Sequence, residues 1–342
     1  MPSSVPALGI PPPHPEAVEL DDQWVATVTP TQMRTAIERF LQFNQVTMPG
    51  DCPLARWLGV LEEADLSQRN QTQFIKSMDY DNQRKAHDFI EARRLAWCLS
   101  VLYAPGRRQP DVDRSFITDQ LLHSDDLSEA NPLLRMPVGT FTVHFAARLQ
   151  QAEAAQVRIC GRTSQGVDLI YQRANGGVAL IEQKERAYYK SRRLGLEPLV
   201  RDVRSRVLAA AEGLKAVTEP STASDDGGTF TPMEGARVVM VGASPTREVA
   251  RQFYDAPPGG HSVMAKAMSA WQLELSKRGA SYSPHGMGVF CLAHDIEPTT
   301  MVSAALSRFV DFGLVGGGVC DEHWGRVAEV FQKTGTKRTG NH

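Results

Sequence analysis

Residues 157–184 read VRICGRTSQGVDLIYQRANGGVALIEQK. This stretch predicts three short β-strands joined by glycine-containing loops: Val157–Cys160, Val167–Tyr171 and Val178–Lys184. Asp168 stands at the head of the second strand, and Glu182 and Lys184 stand at the end of the third. Because side chains alternate along a strand, Glu182 and Lys184 share one face. An acid and a lysine at the end of an apolar strand are typical of a metal site with an activating lysine.

The position of Asp168 relative to Glu182 depends on the loop between the second and third strands. Directly opposed residues of an antiparallel pair point to the same face, with Cβ atoms roughly 4.5–5.5 Å apart. A three-residue loop at 174–176 sets Asp168 opposite Glu182. A two-residue Asn175–Gly176 turn, the commonest type for Asn-Gly, sets Asp168 opposite Gln183 instead. The carboxylates then lie on opposite faces unless a bulge restores the register. A metal site therefore requires an odd-length loop or a bulge.

Asp168, followed on the next strand by Glu182-Gln183-Lys184, resembles the signature of the PD-(D/E)xK nuclease superfamily, an acid on one strand and acid-x-lysine on the next. The resemblance covers roughly residues 137–245, and Val167 stands where the family has proline before the first acid. It implies an α/β (α+β) fold, the restriction-endonuclease-like αβββαβ core, here with an added helical N-terminal region. The predicted order of helix, three strands, helix and strand agrees with that core.

The resemblance also implies a set of site residues. Asp168 and Glu182 are the expected ligands of Mg²⁺ (or Mn²⁺), with the backbone carbonyl of Gln183 as a third ligand. Two carboxylates and a carbonyl suffice, because Mg²⁺ prefers oxygen ligands and retains several waters. Lys184, catalytic together with Asp168 and Glu182, is expected to orient the attacking hydroxide and to offset charge on the phosphate. A simple strand-end ion pair between Glu182 and Lys184 is the competing interpretation, contributing about 0–1 kcal/mol.

A helix predicted over 138–153 precedes the first strand and carries two further catalytic candidates, His144 and Glu153. Members of the family place a glutamate, and some exonuclease-like members a histidine, on this helix. The alternatives are a packing role for His144 and a solvated last-turn charge for Glu153.

Positive charge is concentrated beyond the third strand. Residues 184–206 contain eight lysines and arginines against three acids, in a chain of net charge −2. Cations beside the acid pair are suited to neutralise phosphates, so we expect a nucleic-acid surface that includes Lys190, Arg192, Arg193, Arg201 and Arg204. A solvated helix face is the alternative. The helix itself is predicted over 197–217, with an apolar stripe formed by Val200, Val203, Val207, Leu208, Ala211 and Leu214.

Four regions are expected along the 342 residues. They are a disordered proline-rich tail (1–22), a helical region (23–135), the nuclease-like core (136–300) and C-terminal helices with a tail (301–342). The last region is expected to have helices over 300–310 and 322–332, separated by the flexible segment GLVGGGV at 313–319.

Composition excludes several classes of protein. The five cysteines are scattered without CxxC spacing, which argues against a disulfide scaffold and a zinc ribbon. No run approaches the length of apolar residues that crosses a bilayer, and no signal-peptide pattern opens the chain. We therefore expect a cytoplasmic protein without a membrane partner.

The sequence leads to one principal hypothesis, a Mg²⁺-dependent nuclease acting on DNA by the habit of the family, in restriction, phage defence, repair or as a toxin. A catalytically inactive nuclease-fold module that binds nucleic acid or protein is the second hypothesis, and an unrelated α/β protein is the third. The helical N-terminal region is the expected surface for a homodimer or a protein partner.

Overall fold

The computed structural model describes residues 27–69, 71–76, 83–123, 139–152, 156–161, 167–172, 178–185, 195–218, 235–243, 247–255, 257–293 and 310–316. Within these ranges the protein is a mixed α/β structure. It divides into two compact units, residues 1–161 with 294–310 and residues 162–293 with 311–342. The division follows Gly161, inside the range 136–300 that the sequence assigns to one core.

The first unit is mainly helical. Its helices are α1 (Pro30–Phe43), α2 (Pro53–Leu66), α3 (Gln71–Lys76), α4 (Gln83–Leu102), α5 (Arg114–Phe116, followed by a π-helical turn over Ile117–Leu121) and α6 (Gly139–Ala152). Helix α4 packs against α1, α2 and α6, so it forms the centre of the unit. The buried rings of Trp57, Phe89, Trp97, Phe116 and Phe145 fill its core.

Two short strands complete the first unit, β1 (Asp111–Val112) and β2 (Gln156–Ile159), and they pair in parallel. Strand β2 corresponds to the predicted strand Val157–Cys160. The sequence pattern did not predict β1, because two residues are too few to produce an alternation of apolar and polar side chains.

The second unit is built on β3 (Leu169–Gln172), β4 (Val178–Glu185), β5 (Ala236–Ala243) and β6 (Gly286–Ala293). Strands β3 and β4 are antiparallel, whereas β4, β5 and β6 run parallel to one another. Parallel neighbours require crossover connections. Helix α7 (Leu196–Thr218) makes the first crossover, and α8 (Arg247–Tyr254) with α9 (Val263–Arg278) makes the second.

Helix α7 covers β4 and β5 with one apolar face. Its buried side chains are Leu199, Val203, Val207, Ala210, Ala211 and Leu214. The stripe predicted from the sequence included Val200 and Leu208, which are only partly buried, in place of Leu199 and Ala210. The face of α7 that packs on the sheet therefore contains Leu199 and Ala210 rather than Val200 and Leu208.

Residues Val310–Gly316 form a further strand, β7. This differs from the sequence prediction, which continued a helix to Val310 and treated 313–319 as flexible. Glycine-rich segments lack a strong intrinsic preference, so tertiary pairing decides their conformation. The predicted helices at 300–309 and 322–332, and the N-terminal tail, lie outside the described residues.

In the part of the chain that the structure describes, no helix has both the length and the apolar character needed to span a bilayer.

Candidate metal and catalytic site

The register of β3 against β4 determines where the two acids lie. Leu169 pairs with Ile181 and Gln172 pairs with Val178. Continued by one residue, this register sets Asp168 opposite Glu182. The connection between β3 and β4 therefore contains an odd number of residues, 173–177, as a metal site requires. The alternative register, with Asp168 opposite Gln183, is not the one adopted.

Asp168 lies just before β3 and ends the ladder with its side chain. Its N–H donates to the Ile181 carbonyl at 3.1 Å. Its Oδ2 accepts a hydrogen bond of 2.6 Å from the N–H of Gln183. The carboxylate thus replaces the backbone carbonyl that would continue the ladder. The N–H and C=O of one strand residue point toward the same neighbouring strand. The Gln183 carbonyl consequently points to the side of β4 on which Asp168 lies.

Glu182 lies between the other two predicted catalytic residues, Asp168 and Lys184. It is 3% exposed, and its Oε1 accepts a hydrogen bond from Lys184 Nζ. The Glu182 carboxyl group also lies beside that of Asp168. The Lys184 side chain remains 35% exposed. The two acids and the lysine therefore lie together at the open end of the β3–β4 hairpin, opposite its loop. The lysine is partly exposed to solvent.

The environment of the acids favours their protonated forms. Burial, and then the charge of Asp168, raise the pKa of Glu182 from 4.5 to about 8, although Lys184 opposes this shift. Burial also raises the pKa of Asp168, opposed by its hydrogen bond from Gln183 N–H and by the charge of Lys184. Each acid therefore ionises less readily than it would in water. Two carboxyl groups held this close in a buried place cannot both ionise without a compensating positive charge.

Helix α7 forms the wall of the site behind Glu182, at Gly213. A Cβ atom added to Gly213 would lie 2.8 Å from Glu182 Oε1 and 3.1 Å from its Cδ. The carboxyl group is thus packed directly on the helix backbone. The sequence did not predict this role for Gly213. Its signal was a single glycine inside an otherwise strong helical pattern, which often marks a packing requirement.

The donor set fits a divalent cation of the Mg²⁺ type. Asp168 and Glu182 supply carboxylate oxygens, and the Gln183 carbonyl lies on the same side of β4. Mg²⁺ is commonly bound in proteins through one or two carboxylates, with water completing its shell. Among the described residues no group of three or more His, Cys, Asp or Glu side chains could hold a metal ion, so a fully protein-ligated site of that kind is not present there.

His144 lies on α6, in the first unit, whereas Asp168 and Glu182 belong to the second. It is 1% exposed, and its ring stacks on Trp97 with a centroid separation of 5.5 Å. These contacts are those of a packed core residue. The other candidate on the predicted helix, Glu153, lies outside the described residues.

The predicted nucleic-acid surface is described only in part. Arg201 is exposed on α7. Arg204 donates two hydrogen bonds, of 2.9 and 2.8 Å, to the carboxylate of Glu274 on α9. The charge of Arg204 is therefore largely compensated within the protein. Lys190, Arg192 and Arg193 fall outside the described residues.

Comparison of the chain with models of known families, with curated proteins and with solved structures finds no match. Function is therefore inferred from the chemistry of the site.

Proposed function

We propose that the protein is a metal-dependent nuclease that hydrolyses phosphodiester bonds, with DNA as its substrate. The observation that carries this proposal is the convergence of Asp168, Glu182 and Lys184 at the end of one hairpin. Two acids from neighbouring strands and a lysine two residues after the second acid form the constellation of the PD-(D/E)xK nucleases. Placing two carboxyl groups together away from water is costly, because both are desolvated, and an apolar pair of similar volume would avoid that cost.

The surrounding elements support a restriction-endonuclease-like core. An antiparallel hairpin, β3–β4, leads through a helix, α7, to a parallel strand, β5. This order agrees with the later part of the αβββαβ pattern. Glu182 lies in the carboxyl half of β4, toward the end where ligands bind in sheets with parallel crossovers.

The acids would hold the cation. Asp168 and Glu182 would be its carboxylate ligands and the Gln183 carbonyl a third. A bound Mg²⁺ or Mn²⁺ polarises phosphoryl oxygens and lowers the pKa of water in its shell. The cation would also favour ionisation of both acids, because it supplies the positive charge that two adjacent carboxylates need.

Lys184 would act on the substrate. Its ammonium group lies beside Glu182, and its side chain is 35% exposed. From there it can donate to a phosphate oxygen, offset the charge that develops on the phosphate and orient the attacking hydroxide. Its positive charge also favours ionisation of both acids, because it lowers the pKa of Asp168 and of Glu182.

A cleavage assay tests the proposal. Supercoiled plasmid, linear duplex DNA and single-stranded RNA are each incubated with the protein in Mg²⁺, in Mn²⁺ and in EDTA. We expect cleavage of DNA with either metal and none in EDTA, and loss of cleavage in Glu182→Gln, which keeps the size of the side chain. Metal-dependent cleavage of RNA alone would assign a ribonuclease, and undiminished cleavage by Glu182→Gln would contradict the proposed site.

A catalytically inactive module that binds nucleic acid or protein is the second candidate. The hydrogen bond from Lys184 to Glu182 favours it, since this bond keeps the lysine within the cluster. Binding of DNA without cleavage under any metal condition would support this alternative.

A further inference from the structure

Gly213 is the closest point of α7 to the acid pair. It lies in the interior of the helix, where glycine is less favourable than alanine. An added Cβ would overlap three atoms of one side chain, at 2.8 Å from Glu182 Oε1, 3.1 Å from Cδ and 3.3 Å from Cγ. The absence of a side chain at this position therefore creates the space that the end of Glu182 occupies.

The Glu182 carboxyl group has little freedom to avoid an added methyl group. It is held from one side by Lys184 and from another by Asp168. Its backbone lies in the middle of the sheet, paired through neighbouring residues with β3 and directly with Val239 of β5. Since the backbone is fixed, a methyl group at 213 would move the carboxyl group away from its two partners.

We infer that Gly213 is a positioning residue for the site, which holds the Glu182 carboxyl group against α7 so that it meets Asp168 and Lys184. This inference rests on the proposed function, because a metal ligand must be held at a defined place. Gly213 would contact neither metal nor substrate and would act only through Glu182.

The chain contains a matched control. Gly59 also lies inside a helix, α2, and a Cβ atom added there would meet nothing within 4 Å. Gly59→Ala thus makes the same chemical change without crowding any group. A second control is Glu182→Asp, whose side chain is one methylene shorter and withdraws from the helix.

The experiment is a titration of Mn²⁺ into the full chain, followed by the electron paramagnetic resonance signal of the free ion. Residues that orient a metal ligand typically change affinity by 10- to 100-fold. We expect Gly213→Ala to weaken Mn²⁺ binding by about that factor and Gly59→Ala to leave it within about twofold of the wild type. In the Gly213→Ala background, Glu182→Asp should weaken binding less than it does alone, because the shorter acid relieves the overlap. Wild-type affinity in Gly213→Ala, or losses that simply multiply in the double variant, would overturn the inference.

Urea unfolding of the same five proteins separates this inference from the proposed function. Wild-type protein that neither binds Mn²⁺ nor cleaves nucleic acid would contradict the proposed function. The unfolding midpoints, measured without metal, would still report the contact between position 213 and the Glu182 side chain. Shifts that are non-additive for positions 213 and 182 are expected from the packing, and additive shifts would overturn the positioning role independently of any activity.

Discussion

Asp168 Oδ2 accepts a 2.6 Å hydrogen bond from the backbone N–H of Gln183. The same carboxylate therefore closes the β3–β4 ladder and belongs to the acid pair. Substitution of Asp168 is therefore expected to have two separable effects, one on the stability of the protein and one on metal binding.

Asp168→Ala removes the acceptor and leaves the Gln183 N–H unsatisfied in a buried strand. We expect a loss of about 1–3 kcal/mol in the free energy of unfolding. Asp168→Asn retains an amide oxygen in the same position and should lose much less, although it removes the negative charge. Urea unfolding of both variants measures the difference. Equal stability of the alanine and asparagine variants would show that the hydrogen bond contributes nothing.

The raised pKa of Glu182 predicts how stability depends on pH when no metal is present. Between pH 4.5 and about 8 the folded protein keeps a proton that the unfolded chain releases. Its contribution to stability is complete below about pH 4.5 and is lost as the pH rises through about 8. At about 1.4 kcal/mol per pKa unit, the wild type should lose a few kcal/mol across this window. The measurement is the free energy of unfolding in EDTA at several pH values.

Glu182→Gln is the control for that measurement, because glutamine has the same size and does not titrate. Its stability should vary less with pH than that of the wild type over the same window. Addition of Mg²⁺ should restore wild-type stability at pH 8 and have little effect on Glu182→Gln. Identical pH profiles for the two proteins would contradict the assignment of the shifted group.

Much of this site follows from the sequence, and the structure shows where such inference ends. The alternation of apolar residues predicted β3, β4 and the shared face of Glu182 and Lys184. The choice between two hairpin registers could not be made from the sequence, because Asn175-Gly176 favours a two-residue turn by its local preference. Only the pairing of the strands decides it. Gly213 and Glu182 are 31 positions apart in the chain, so no local pattern connects them.

Arg201 and Arg204 should contribute unequally to DNA binding. Arg201 is exposed, whereas the guanidinium of Arg204 is bound by Glu274. Arg201→Gln should weaken binding and lower the slope of log Kd against log salt by about 1, as expected for one phosphate contact. Arg204→Gln should change both quantities less, and Glu274→Gln should tighten binding by releasing Arg204.

Fluorescence anisotropy with a labelled duplex in EDTA gives these affinities without cleavage. Equal effects of the two arginine substitutions would mean that Glu274 does not compensate Arg204 in the complex.

His144 is expected to act in packing. Its ring is buried against Trp97. His144→Ala should lower the free energy of unfolding by about 2–5 kcal/mol, the usual range for truncating a large buried side chain to alanine. Cleavage per folded molecule should stay at the wild-type level. Urea unfolding combined with initial rates at a temperature well below the transition checks both expectations, and a stable but inactive variant would return His144 to the catalytic candidates.

The catalytic role of Lys184 is tested by the initial rate of Mg²⁺-dependent plasmid cleavage by wild type, Lys184→Ala and Lys277→Ala. Lys277 lies on the exposed face of α9 and serves as the matched lysine control. We expect Lys184→Ala to abolish cleavage and Lys277→Ala to cleave like the wild type. Full cleavage by Lys184→Ala would contradict this role.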